Sequence, residues 1–331
     1  MKLPLTLACG IYDRTLALQT GMVVPEGIEL NYLPMGPGQL FRRQARNAEF
    51  DVAEFSLGTY VILLARGDRR MIAIPVFPSR KFRHGDIYIN ARIGIEKPED
   101  LANRRIGAQE YQQTAAIWIR GMLQEEYGVQ ANQIEWYFGG YNKPENYTER
   151  IAVNLPSDIR TVTISNHQSL NQMLENGELD GLIGATTPLS FSQRSPTVTR
   201  LFGNTREIEI GYYRRTEIFP IMHVIVVKRE VYERAPWVAV NLYQSFEKAK
   251  AVGLNRLGES GTLFCALPWL CEHVEDTRGV MGDDPFAYGI ARNRRTLQKF
   301  LEYCHAQGLA QRLVTIEELF APEILALENS G

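Results

Sequence analysis

The chain has 331 residues, 45% of them apolar and 22% charged, with a formal net charge of −2. That length allows two domains or one large bilobed one. The near-neutral charge argues against a nucleic-acid-binding protein, and no run approaches the roughly 18 apolar residues of a membrane span. Cys9, Cys265, Cys271 and Cys304 form no CxxC pair and read as reduced thiols, which places the protein in the cytoplasm. The opening MKLPLTLACG has too short an apolar run for a secretory leader, and Pro4 interrupts it, so it is expected to be a first buried strand.

Strand and helix signals then alternate. Leu3–Cys9 reads as a strand, Tyr12–Met22 as a helix, Ile28–Leu33 as a strand and Leu40–Asn47 as a short basic helix. Asp51–Phe55 is the next strand, Gly58–Arg66 a helix ended by Gly67, and Met71–Phe77 a further strand. This rhythm predicts an α/β unit with a largely parallel sheet, because parallel strands need helical crossovers. A second unit begins near Lys97, where PEDLANRRIGAQ predicts a short helix and then the strand Arg105–Ala108. Thr114–Tyr127 sets Ala115, Trp118, Ile119, Met122 and Leu123 on one helical face, with Gly128 as its cap. Ile134–Tyr137 is a strand, Ser169–Glu175 a helix closed by Gly177, and Leu179–Ala185 a small-residue strand. His223–Lys228 is β-branched and extended, and Pro236 opens a helix to about Ala251. Arg294–Gln307 is a helix, and Thr315–Glu318 matches a capping box for a last short one.

One stretch stands apart. PSRKFRHGDIYIN, residues 78–90, concentrates Arg80, Lys81, Arg83 and His84 between two extended segments of a nearly neutral chain. Strand alternation would put Arg80, Phe82 and His84 on one face and Lys81 and Arg83 on the other, as far as Gly85.

PEDLANRRIGAQ, TAAIWIRGMLQEEYGV and LENGELDGLIGA, in that order, resemble the type II periplasmic-binding-protein fold. Together with LACGIYDRTLAL, FDVAEFSLGTY, IPVFPSRKFRHGDIYIN and DDPFAYGIARNRRTLQKFLEY, they make residues 3–323 resemble the 4,5-dihydroxyphthalate decarboxylase family. The resemblance implies an α/β, two-lobed architecture with mixed, mostly parallel sheets and a ligand cleft between the lobes. Residues 1–87 with 225–331 would form the first lobe and 88–224 the second. It also implies non-oxidative loss of CO2 from a small aromatic dicarboxylate, 4,5-dihydroxyphthalate, giving protocatechuate in phthalate degradation. The alternative is a solute-binding protein or sensor for an aromatic carboxylate. An uptake receptor is exported, so a chain without a leader is expected to be the enzyme.

Such a reaction needs groups that hold carboxylates, a proton donor for the ring carbon, and an acceptor for the para hydroxyl. Arg14, Arg80 and Arg83 are candidates to hold the carboxylates, since the guanidinium fork matches their geometry. His84 is the first candidate for the donor because histidine titrates near neutrality. Glu54 could take a phenolic proton, and His223, alternating with Ile225 and Val227, is either a core residue or a catalytic one. Ser56 and Thr59 follow a strand and could hold an anion or simply cap a helix. Phe82 offers an aromatic surface, and Tyr111 and Thr114 an anion or hydroxyl site at the start of the long helix. Glu259 and Ser260 form a polar turn that could reach the ligand, and the DDPFAY loop is either a ligand contact or a structural one. No HExxH, GxSxG or nucleotide fingerprint is present, so a cofactor-free reaction is expected, with a divalent metal at His84 and Asp86 or Glu54 as the alternative. The expected partners are the small substrate and other copies of the chain, with neither nucleic acid nor membrane.

Overall fold

The computed structural model describes residues 2–329. In chain order its strands are β1 (Leu3–Cys9), β2 (Ile28–Pro34), β3 (Val52–Ser56), β4 (Met71–Ile74), β5 (Ile87–Asn90), β6 (Arg105–Ala108), β7 (Glu135–Phe138), β8 (Arg160–Thr163), β9 (Gly181–Ile183), β10 (Val198–Arg200) and β11 (His223–Lys228). They form two sheets, ordered β2-β1-β3-β11-β4 and β10-β5-β9-β6-β7-β8.

Contacts divide the chain into two compact units. The first comprises the residues up to Arg80, Ile221–Gln298 and the chain from Val314 onward; the second is Lys81–Pro220 with Lys299–Leu313. The segment from Lys299 packs within the second unit, where Trp118 meets Phe300 at 5.3 Å and Tyr303 at 5.6 Å.

In the first sheet β1 runs parallel to β2 and β3, as the βα rhythm predicts. β11 departs from that pattern: it lies antiparallel between β3 and β4. The four interior residues of HVIVVK are all buried, and a continuous apolar run of this kind suits a central strand covered on both faces. In the second sheet β9, β6, β7 and β8 are parallel neighbours, while β5 runs antiparallel to both of its neighbours, β9 and β10. β8 and β10 escaped the sequence reading for a physical reason. All four residues of RTVT in β8 are exposed, so no buried face marks the strand. PEDL forms the short helix expected of it, a single 3-10 turn over Pro98–Leu101. No helix among the described residues is long and apolar enough to cross a membrane.

The helix Asp13–Gln19 follows β1 and packs on the long helix Trp237–Leu257. Gly253 makes this approach possible. A methyl group there would stand 2.6 Å from the Asp13 carbonyl oxygen and 3.1 Å from the Arg14 nitrogen. Backbone atoms cannot rotate away as a side chain can, so the start of the short helix would have to shift. Gly253→Ala is therefore expected to cost about 1–3 kcal/mol in urea unfolding, with a matching loss of whatever activity depends on Arg14.

Candidate active site

Glu54 is the centre of the polar chemistry in the first unit. It lies on β3, all of whose residues are buried, and is 0% exposed. Its cross-strand partner on β11 is Ile225, and His223, two residues earlier on the same face, reaches it diagonally. His223 Nδ1 stands 2.6 Å from Glu54 Oε1, which also accepts the Tyr12 hydroxyl at 2.7 Å. Oε2 accepts the Gly10 N–H at 2.8 Å and the Cys9 thiol at 3.5 Å. Cys9 and Gly10 sit at the carboxyl end of β1, the end at which open α/β sheets collect ligands. Burial alone would raise the Glu54 pKa. The His223, Tyr12 and Gly10 contacts more than offset it, and the carboxyl lies below its ordinary value.

Glu54 is thus an anion at neutral pH with both oxygens engaged, a geometry suited to holding the His223 ring rather than to taking a proton itself. Burial, then the Glu54 charge, pushes the Cys9 thiol and the Tyr12 hydroxyl upward, so both stay protonated. Phe41 meets the His223 ring edge-on at 4.7 Å, and the histidine side chain keeps 17% of its surface exposed.

Arg14 lies beside this cluster. Its guanidinium sits over the Tyr12 ring at 4.4 Å and the Phe286 ring at 4.3 Å. Nε and Nη2 donate to the Pro78 carbonyl, and Nη1 pairs with Asp13 Oδ1 at 2.8 Å. Arg80 is buried and donates from Nη1 to the Ala287 carbonyl at 3.1 Å. Ser56 caps the helix Leu57–Ala65 by accepting the Thr59 N–H at 3.4 Å, with both residues buried near His223, the cross-strand partner of Ser56. Glu259 and Ser260 lie in the exposed turn after the long helix, and no contact among the described residues joins them to Glu54.

The remaining predicted residues belong to the second unit. The stretch after Arg80 is not a strand with two faces, which overturns the predicted alternation. Only an isolated bridge, Arg80 to Ile221, interrupts the irregular backbone before the tight turn His84–Asp86. Asp86 gathers the basic charge: Oδ1 accepts Lys81 Nζ and Oδ2 accepts Arg83 Nη1, each at 2.8 Å. Phe82 packs against Phe219 at 4.7 Å. His84 lies between Phe202 at 5.5 Å and Tyr212 at 5.1 Å, and its nearest carboxylate, Glu209, is 3.9 Å away. Burial, then the Arg215 charge, lowers the His84 pKa to about 4, so the reason for expecting an acid poised near neutrality does not hold there. Tyr111 is fully buried with Arg120 over its ring at 3.6 Å. Thr114 is the first helical residue, and Gln113 rather than Thr114 occupies the cap position.

A cavity of about 230 Å³ borders Arg14, Phe286, Leu254 and His273, but neither Glu54 nor His223 lines it. Among the described residues no three His, Cys, Asp or Glu side chains gather to hold a metal ion. The sequence points to the turn Tyr12-Asp13-Arg14 after β1 as well placed for a ligand, but gives a role there to Arg14 alone and none to Tyr12. The cue available was its position at a strand's carboxyl end, beside Arg14.

No protein-family model matches the chain. It is 39% identical over 324 residues to the 4,5-dihydroxyphthalate decarboxylase of Comamonas testosteroni, covering 98% of both chains. The chain belongs to the 4,5-dihydroxyphthalate decarboxylase family. A second decarboxylase of that name, from Pseudomonas putida, is 38% identical over 213 residues, covering 64% of this chain and 82% of its own length. Among solved structures, the periplasmic aliphatic sulphonate binding protein of Escherichia coli matches with a TM-score of 0.55 at 11% identity, over 98% of this chain and 99% of that one. A sulfonate-binding protein of Methylobacillus flagellatus matches with a TM-score of 0.56 at 12% identity, over 99% and 94%. These likenesses establish the fold of this decarboxylase family member as that of the type II periplasmic binding proteins.

His84 sets a pH dependence. Its folded pKa of about 4 lies below the ordinary 6.5, so the unfolded chain binds the proton more tightly. The stability that the neutral ring contributes is full above pH 6.5 and drains away as pH falls toward about 4, by roughly 3 kcal/mol in all. Urea midpoints measured across that window should fall with acidification, and His84→Phe should flatten the slope.

Proposed function

We propose that the protein converts 4,5-dihydroxyphthalate to protocatechuate and CO2, a step of phthalate degradation, as a non-oxidative carboxy-lyase. The observation that carries this reading is the similarity to a decarboxylase of that name along 98% of the chain. The residue roles rest on the Glu54–His223 pair, supported by its 2.6 Å contact.

The chemistry balances without a redox partner. His223 gives a proton to the ring carbon that bears the leaving carboxylate. The hydroxyl para to that carbon releases its proton to solvent, and its oxygen becomes the carbonyl of a dienone. The bond to the carboxylate then breaks, its electron pair returns to the ring, and the oxygen recovers a proton as aromaticity is restored. Each turnover releases one CO2 and takes up one proton. Glu54 fixes the tautomer and direction of the His223 ring and serves as its counter-ion, with Tyr12 and Gly10 holding the carboxylate in place. Arg14 and Arg80 supply positive charge for the substrate's carboxylates, and Ser56 and Thr59 add polar groups at a helix start. The leaving carboxylate must stay ionised but not be held too tightly, since only contacts stronger in the transition state speed the step.

The reading includes a cofactor-free reaction in the cytoplasm by a homo-oligomer. Its support is a redox-neutral balance that one histidine can serve, and four cysteines none of which is in a disulfide. The competing reading, a binding protein or sensor for an aromatic carboxylate, draws on the likeness to sulphonate-binding proteins and predicts binding with no CO2 release.

Incubation with 4,5-dihydroxyphthalate should yield protocatechuate and CO2 in equal amounts, and a chelator should leave the rate unchanged. Binding without product would favour the sensor. His223→Gln should lower kcat by about a hundredfold or more, the scale of general acid catalysis, with a smaller loss for Glu54→Gln. Unchanged turnover in His223→Gln would remove that residue from the donor role.

A further inference from the structure

The Gly10–Tyr12 turn supplies two of the donors that hold Glu54, and it is itself held from the far side of β1. Tyr32 stands on β2, which pairs with β1 and not with β3. Its hydroxyl donates to the Gly10 carbonyl at 2.5 Å and lies 3.2 Å from Thr15 Oγ1. Thr15 is fully buried, and its Oγ1 accepts the Tyr12 N–H at 3.1 Å. Both ends of the turn are therefore tied to one phenol, Gly10 directly and Tyr12 through Thr15. The Tyr12 ring is confined as well. It lies against Gly10, where a methyl group would come within 2.9 Å of Tyr12 Cε2, and the Arg14 guanidinium stands 4.4 Å from its centre. Among the described residues no hydrogen bond joins Tyr32 to Glu54 or His223.

Gly10 gives its N–H and Tyr12 its hydroxyl to Glu54, so the direction of both bonds depends on the same short turn. That turn belongs to no regular element, since it lies between the end of β1 and the helix that starts at Asp13. Resting on the decarboxylase reading, we infer that Tyr32 is a positioning residue for the Glu54–His223 pair, its hydroxyl fixing the turn whose Gly10 N–H and Tyr12 hydroxyl hold the carboxylate. Burial raises the Tyr32 pKa, so the phenol stays protonated and able to donate. A catalytic side chain has to be aimed to within a fraction of an ångström, and supporting hydrogen bonds behind it are what keep it there. Without the Tyr32 hydroxyl, the Gly10 carbonyl keeps among the described residues only the longer Thr15 contact at 3.4 Å. The turn then gains freedom at the point where it meets Glu54.

Tyr32→Phe, made in the whole protein, removes the hydroxyl and keeps the ring. For 4,5-dihydroxyphthalate, kcat should fall roughly threefold to tenfold, the reach of one neutral hydrogen bond, while KM stays the same. The acid limb of the kcat profile should move to higher pH. Burial raises the Glu54 pKa and the His223, Tyr12 and Gly10 contacts lower it, so loosening the last two lets it rise, and the carboxylate protonates earlier as pH falls. The other titratable groups at the carboxylate, His223, Cys9 and Tyr12, are unchanged by the variant. Because Tyr32 acts through the pair, the same substitution added to His223→Gln should lower kcat no further. The melting temperature should stay within about 3 °C of that of the wild type. The inference is overturned if kcat and the acid limb are both unchanged, or if KM rises in place of the fall in kcat. An equal further loss in the His223→Gln background overturns it too, as does a loss of kcat with a markedly lower melting temperature and an unmoved acid limb. A wild-type protein that releases no CO2, or a fully active His223→Gln, defeats the underlying reading and this assignment with it, whereas an active wild type, an impaired His223→Gln and an unaffected Tyr32→Phe defeat the assignment alone.

Discussion

An ionised carboxylate fully buried in the middle of a sheet is the constraint on which the first unit is organised. Glu54 can stay charged there only because donors from separate parts of the chain converge on it: the end of β1, the turn after it, and β11. Each donor is delivered by strand order, since β3 lies between β1 and β11. Losing one partner of a buried pair commonly costs about 3–5 kcal/mol, because the other is left as an uncompensated charge. The same arrangement leaves His223 partly exposed with its orientation set, so what keeps the carboxylate ionised also aims an imidazole.

The second unit handles its charges differently. Lys81 and Arg83 share Asp86, so one of their two positive charges is balanced within six residues and both cations are held in place. His84 is kept uncharged by burial among aromatic rings. The two histidines have different neighbours: one faces an anion at 2.6 Å, while the other has a carboxylate only at 3.9 Å.

Much of the fold was legible because the signals are local. β1, β6, the helix Thr114–Tyr127 and β11 carry dense apolar runs or clear caps, and they occur where periodicity places them. The antiparallel seat of β11 was not legible, since a strand's direction depends on partners far away in sequence. β8, wholly exposed, offered no pattern at all. At the candidate site, Glu54, His223 and Arg14 could each be named from the sequence, but not the contact that joins the first two. His84 drew attention through its charged neighbours. What sequence could not show was that Asp86 would bind both Lys81 and Arg83 and that Phe202 and Tyr212 would enclose the ring.

The two members of the Glu54–His223 pair are 169 residues apart in sequence. On the ribosome, β3 and β4 emerge long before β11, which must then enter between them from a later part of the chain. Until it does, the sheet has a vacancy between β3 and β4 and the Glu54 carboxylate lacks its imidazole. Closing so long a loop is entropically slow compared with forming the local βα pairs. The acid-base pair therefore comes into being with the final closure of its sheet, so that an incomplete chain carries a surveyable defect, an unfilled strand position, rather than a working site.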